Sequence, residues 1–222
     1  MKVTIILIAI LLPLTVLLRN YSLNRLLDEL YKLAYIKKDE KGFLLQLSSL
    51  QAEMLMSFKS RKMMELNYWI YKDNTTRVKK TADAIEKQRL NAGDAVALYS
   101  LLIGYYANKK DKQGLEYLEK LNKYSAIAKH ANQHVLINDC NIVCDVYLKN
   151  NVQLISKIKE IISKSIDKEA KSVYLYRLAY LYKVDGDIQK CKSCLTEAME
   201  KTSKKSSKIK IKKILDDGCE TL

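Results

Sequence analysis

Five times along the chain an apolar triplet recurs at i, i+4 and i+7: Phe43-Leu47-Leu50, Val78-Ala82-Ile85, Gly114-Leu118-Leu121, Leu154-Ile158-Ile161 and Cys191-Leu195-Ala198. That spacing places three side chains on one stripe of an α-helix. Apolar triplets are common in helical proteins, so the near-even recurrence carries the weight. First members stand 35, 36, 40 and 37 residues apart. No such helix can bury its stripe alone, so each predicts a packed neighbour.

A plausible neighbour precedes each triplet. Leu27, Leu30, Tyr31 and Ala34 come before the first, and Met63, Leu66, Trp69 and Ile70 before the second. Leu98, Leu101, Leu102 and Tyr105 precede the third, and Leu136, Cys140, Val143 and Tyr147 the fourth. Breaks fall where turn formers cluster, at 37–41, 73–76, 91–94, 108–113, 149–151 and 185–187. With one proline and six glycines in 222 residues, the chain has little material for β-turns, and an all-α fold is predicted.

The last hairpin, 172–202, is the clearest. Leu175, Leu178, Ala179 and Tyr182 share one face of a first helix, Asp185-Gly186-Asp187 breaks it, and Cys191, Leu195 and Ala198 line the second. This order resembles the tetratricopeptide repeat (TPR), with its large, leucine, small and tyrosine positions, turn glycine and second-helix alanine. Cys191 stands at a small position and Leu195 at the aromatic one. Ser203 stands where the family's closing proline would fall, and no proline occurs after Pro13. The resemblance spans roughly residues 21–203 and implies an α-hairpin solenoid of about five units, stacked right-handed around a continuous core.

Ahead of it, Val3 to Leu18 form the apolar run VTIILIAILLPLTVLL between Lys2 and Arg19. Sixteen helical residues reach about 24 Å, short of a hydrocarbon core of about 30 Å. Including Met1, snorkelling by Lys2 and placing Asn20 and Tyr21 at the interface make a span feasible. A transmembrane anchor is predicted; a cleaved signal peptide is the alternative, against which stands the lack of an Ala-x-Ala-like site. Arg19, Arg25, Lys32, Lys37 and Lys38 come after the run, and the positive-inside rule places the carboxyl-terminal domain in the cytoplasm. The organisation is then an anchor at 1–20, a TPR-like solenoid at 21–203 and a lysine-rich capping helix or tail at 204–222. Five cysteines cannot all pair within one chain, and free thiols suit a reducing compartment.

Chemical motifs are few. His130 and His134 sit at i, i+4, a spacing that holds zinc, but the zincin pattern needs a glutamate where Ala131 stands. Cys191 and Cys194 form a C-x-x-C without a second such pair or a preceding strand, so packing is the expectation. No phosphate loop, G-x-S-x-G or distinct carboxylate pair occurs, and neither catalysis, a metal nor a cofactor is predicted. Tyr31, Tyr105, Tyr147 and Tyr182 fall on helical stripes and read as packing residues.

The formal net charge of +14 favours anionic partners. It concentrates at 201–213, KTSKKSSKIKIKK, where Lys204, Lys205, Lys208, Lys210, Lys212 and Lys213 interleave with Ile209 and Ile211. A solvated cap or an anionic-lipid contact would each explain this segment; the absence of paired arginines or aromatics disfavours nucleic acid. The combined expectation is a single-pass, membrane-anchored interaction scaffold. Its concave surface would hold an unidentified peptide or partner protein on first-helix side chains off the packing stripe: Arg25, Asn67, Ser100, Asn138 and Arg177. The resemblance implies that such grooves take acidic peptide ends.

Overall fold

A computed structural model describes residues 2–222, with side chains from Thr15 onward. It is all-α, with no strand among the described residues. The chain divides into two compact units, Met1–Leu90 and Asn91–Leu222. The boundary falls within the stretch read from sequence as one solenoid.

The first unit opens with α1 (Lys2–Tyr31), which passes into a π-helical turn at Lys32–Ile36 closed by the Lys37 N–H on the Lys32 carbonyl at 2.8 Å. The 3–18 run lies in α1, but its side chains through Leu14 lie outside those described. Among the described residues no helix is long and apolar enough to cross a membrane. Then come α2 (Glu40–Leu47), α3 (Leu50–Leu55), α4 (Phe58–Tyr71) and α5 (Thr75–Glu86). The second triplet behaves as read: Val78, Ala82 and Ile85 are all buried, with Leu66 and Trp69 of α4.

The first triplet does not. Phe43 and Leu47 are buried, yet Leu50 is 73% exposed because the helix stops before it. Ser48 and Ser49 donate their hydroxyls to the Leu44 and Gln46 carbonyls, at 2.9 and 2.8 Å, which competes with the helical ladder. Ser49 then accepts from the Ala52 N–H and starts α3. Tyr31, read as a packing residue, is 54% exposed beside Tyr35.

The second unit holds α6 (Ala92–Asn108), α7 (Gln113–Asn122), α8 (Ala131–Tyr147), α9 (Ile155–Lys164), α10 (Lys168–Val184), α11 (Ile188–Lys201) and α12 (Lys205–Asp216). Helices α6 and α7 pack as a pair, as do α10 and α11; α6 also meets α8, α9 meets α10, and α11 meets α12. Gly114 opens this packing, since a Cβ there would meet Leu148 Cδ1 at 2.7 Å and Tyr106 Cβ at 3.3 Å. Cys191, Leu195 and Ala198 are fully buried. The fourth triplet is less regular: Leu154 ends a 3₁₀ turn at Val152–Leu154 and only Ile158 is fully buried. Leu136, read as a stripe residue, is 40% exposed near the start of α8.

A turn motif recurs with the triplets. Lys38, Asp73, Lys110, Asn150 and Gly186 each take positive φ, between 52° and 86°, just after a first helix. Each stands immediately before an Asp or Asn: Asp39, Asn74, Asp111, Asn151 and Asp187. Every one of these carboxylate or amide oxygens accepts a backbone N–H two or three residues on. One residue thus ends a helix in the left-handed region, and its neighbour caps the first turn of the next helical segment. The Asn74, Asp111 and Asp187 N–H groups also reach back five residues, to the Trp69, Tyr106 and Tyr182 carbonyls at 3.0, 2.9 and 2.9 Å. Helix pairs with a shared turn are compatible with a helical-repeat fold.

Candidate functional site: a groove on the first helices of the second unit

Four elements of the second unit converge on a cavity of about 310 Å³. Its walls come from the first helices α6, α8 and α10, and from α12, which bridges its rim. Gly104, Val143, Val173 and Ile211 supply apolar surface; Tyr147, Tyr176, Asn108, Ser207 and Lys210 supply polar groups. A Cβ on Gly104 would meet nothing within 4 Å, so this glycine faces open space.

Helix α12 reaches the groove because two contacts fix it. Ile211 and Ile214 bury one face of the helix. At its start, Glu169 of α10 accepts from the Ser203 N–H at 2.5 Å, the Ser203 hydroxyl at 2.6 Å and the Thr202 hydroxyl at 2.9 Å. A proline at 203 would lack the N–H this clamp uses. These donors favour the carboxylate and hold Glu169 at a pKa of about 2, from an ordinary 4.5. The contribution is therefore complete above about pH 5 and is lost as pH falls toward 2. In Glu169→Gln, the urea midpoint falls less steeply between pH 5 and pH 2 than in the wild type. Parallel curves would refute the clamp.

Arg177 lines the cavity but is not a free groove cation. Its side chain is 9% exposed and its guanidinium forks onto Asp139 of α8, with Nη2 2.9 Å from Oδ2. Tyr174 donates to the same carboxylate at 3.3 Å, and Arg177 stacks over its ring at 4.9 Å. The pair joins α8 to α10 and leaves the wall neutral. Lys210 instead brings positive charge, its Nζ lying 5.2 Å from the Tyr176 ring centre. Burial pushes the phenols of Tyr147 and Tyr176 up, so both remain protonated. Neither hydroxyl makes a hydrogen bond among the described residues, and an occupant could accept from both.

The other residues read from sequence as a surface do not gather here. The Ser100 hydroxyl is turned to the Val96 carbonyl at 2.5 Å. Asn138 is exposed on α8, outside the cavity lining. Arg25 and Asn67 belong to the first unit, both exposed. Asn67 donates to the Met63 carbonyl at 2.9 Å and borders a separate recess of about 220 Å³ with Leu30 and Phe43. Lys204, Lys205, Lys208, Lys210, Lys212 and Lys213 are all exposed, and Lys210 alone among them lines the groove. Tyr147, Tyr176 and Asn108 were missed as groove residues; the tyrosines lay on or beside packing stripes and Asn108 lay in a turn cluster.

The C-x-x-C pair behaves as packing. Cys191 is fully buried against Cys219, and burial pushes its thiol up to about 12 and that of Cys194 to about 11. Thiols so raised stay protonated at neutral pH. His134 points Nε2 at the Ala128 carbonyl, 2.9 Å away, and so donates there. No group of three or more metal-ligand side chains occurs among the described residues.

No family model, curated protein or solved structure matches the chain.

Proposed function

We propose that the chain is a membrane-anchored interaction scaffold, a binding module rather than a catalyst, whose second unit holds a peptide segment in the α6–α8–α10–α12 groove. The observation that carries this reading is the cavity itself, on the first-helix faces where a TPR-like arrangement would present its binding surface. Its volume suits one or two side chains. Val143, Val173 and Ile211 would receive an apolar side chain, while Lys210, Tyr147 and Tyr176 would face an acidic or carbonyl group. The 3–18 run supports anchoring, with the flanking charge favouring a cytoplasmic carboxyl-terminal domain.

Screening an immobilised peptide library against the full chain tests the groove. Acidic-apolar peptides are enriched, and Gly104→Phe, which fills open space at the wall, reduces their affinity at least about tenfold. Lys210→Glu reduces it for the acidic members selectively. Retained binding in both variants, with unchanged helicity, overturns the groove reading. Mass spectrometry of the mature amino terminus separates an anchor from a cleaved leader. A phosphatase reporter fused to the carboxyl end tests orientation, and strong activity would reverse it.

A further inference from the structure

Helix α12 presents two unlike faces. Ile211 and Ile214 are turned inward and Lys210 toward the groove. The opposite face carries Lys205, Ile209, Lys212 and Lys213 at i, i+4, i+7 and i+8, with Lys208 alongside. All four of these lysines are exposed and none forms an ion pair among the described residues. Ile209 stands 62% exposed in their midst. The only carboxylate continuing that stripe is Asp216, at its carboxyl end. A solvated cap needs no apolar side chain on its outer face, so charge alone does not account for the pattern.

We propose that this outer face of α12 docks on an anionic lipid bilayer, its lysines against headgroup phosphates and Ile209 entering the interface. The surface is complementary in charge to such a bilayer, and the single apolar residue has the place an interfacial helix gives it. Nucleic acid would use the lysines but leave Ile209 without a role, and α12 offers neither arginine nor aromatic side chains to bases. The contact uses the face of α12 turned away from the groove. An inserted 3–18 run would add to binding of anionic and neutral vesicles alike, so only the preference between them reads the lysine face.

The test is binding of the full chain to phosphatidylcholine vesicles with and without phosphatidylserine. Each engaged lysine favours the anionic surface by about fivefold, so the wild type prefers it by about tenfold or more and loses the preference in high salt. The quadruple variant K205E/K208E/K212E/K213E loses the preference while binding neutral vesicles as before. Ile209→Asp weakens binding to the anionic vesicles severalfold and leaves binding to a short DNA duplex unchanged. Thermal melts by circular dichroism check that both variants are folded, which substitutions at exposed positions permit. Equal affinity of the wild type for the two vesicles overturns the proposal. So does a preference that survives the lysine reversal, or an Ile209→Asp variant that binds anionic vesicles as the wild type does.

Discussion

Asp139→Ala lowers the stability of the Asn91–Leu222 unit by about 3 kcal/mol, seen as a fall of about 10 °C in melting temperature. The cause is less the lost attraction than what remains. Arg177 stays between α8 and α10 with its side chain 9% exposed and its guanidinium left with no carboxylate to fork onto. Arginine does not escape by losing its proton, so the desolvation cost falls on the fold. Asp139 is 34% exposed, and water entering at that edge keeps the loss at the lower end for buried pairs. The double variant Asp139→Leu/Arg177→Met removes both charges and recovers most of the loss. Additive single-variant losses in the double would show that the two residues act independently and refute the coupling.

Leu195→Ala costs the same unit about 3 kcal/mol, measured by urea denaturation. Leu195 is wholly buried in the second helix of the last hairpin, within a cluster that includes Leu178, Ile158 and Ile211. Truncation leaves a cavity where α10, α11 and α12 meet, and helices tied by short turns collapse into it only in part. Exposed Ile188, on the same helix, makes the control: Ile188→Ala changes stability by less than about 0.5 kcal/mol. Equal losses at the two positions would show that the burial pattern of α11 is wrong.

These two substitutions differ in how far the sequence announces them. Leu195 is legible because its stripe is local: residues 191, 195 and 198 meet on one face by helical geometry alone. The same is true of Val78-Ala82-Ile85 and Gly114-Leu118-Leu121, and the structure buries all of them. Where a triplet failed, another local preference had won, as at Ser48 and Ser49, whose hydroxyls end the helix before Leu50. The five left-handed turn residues with their Asx caps were also present in the sequence. Four of the five are not glycine, so positive φ was hidden in Lys38, Asp73, Lys110 and Asn150.

Asp139–Arg177 was not legible, and neither was the groove. The two residues stand 38 apart in sequence, on helices whose relative rotation no local pattern specifies. Arg177 read as surface because a charge off the stripe is ordinarily solvated; it is buried because α8 supplies a carboxylate at that height.

By itself, then, the sequence determined an all-α chain of helix pairs, the positions of its turns and a lysine-rich last helix. All of these arise from periodicities that close within a few residues. Only the tertiary structure decided which side chains from α6, α8, α10 and α12 share one cavity. It also neutralised Arg177 and separated Lys210 from the lysines around it. Those outcomes depend on how helices far apart in sequence are rotated against one another, and side-chain packing across their interfaces sets that rotation.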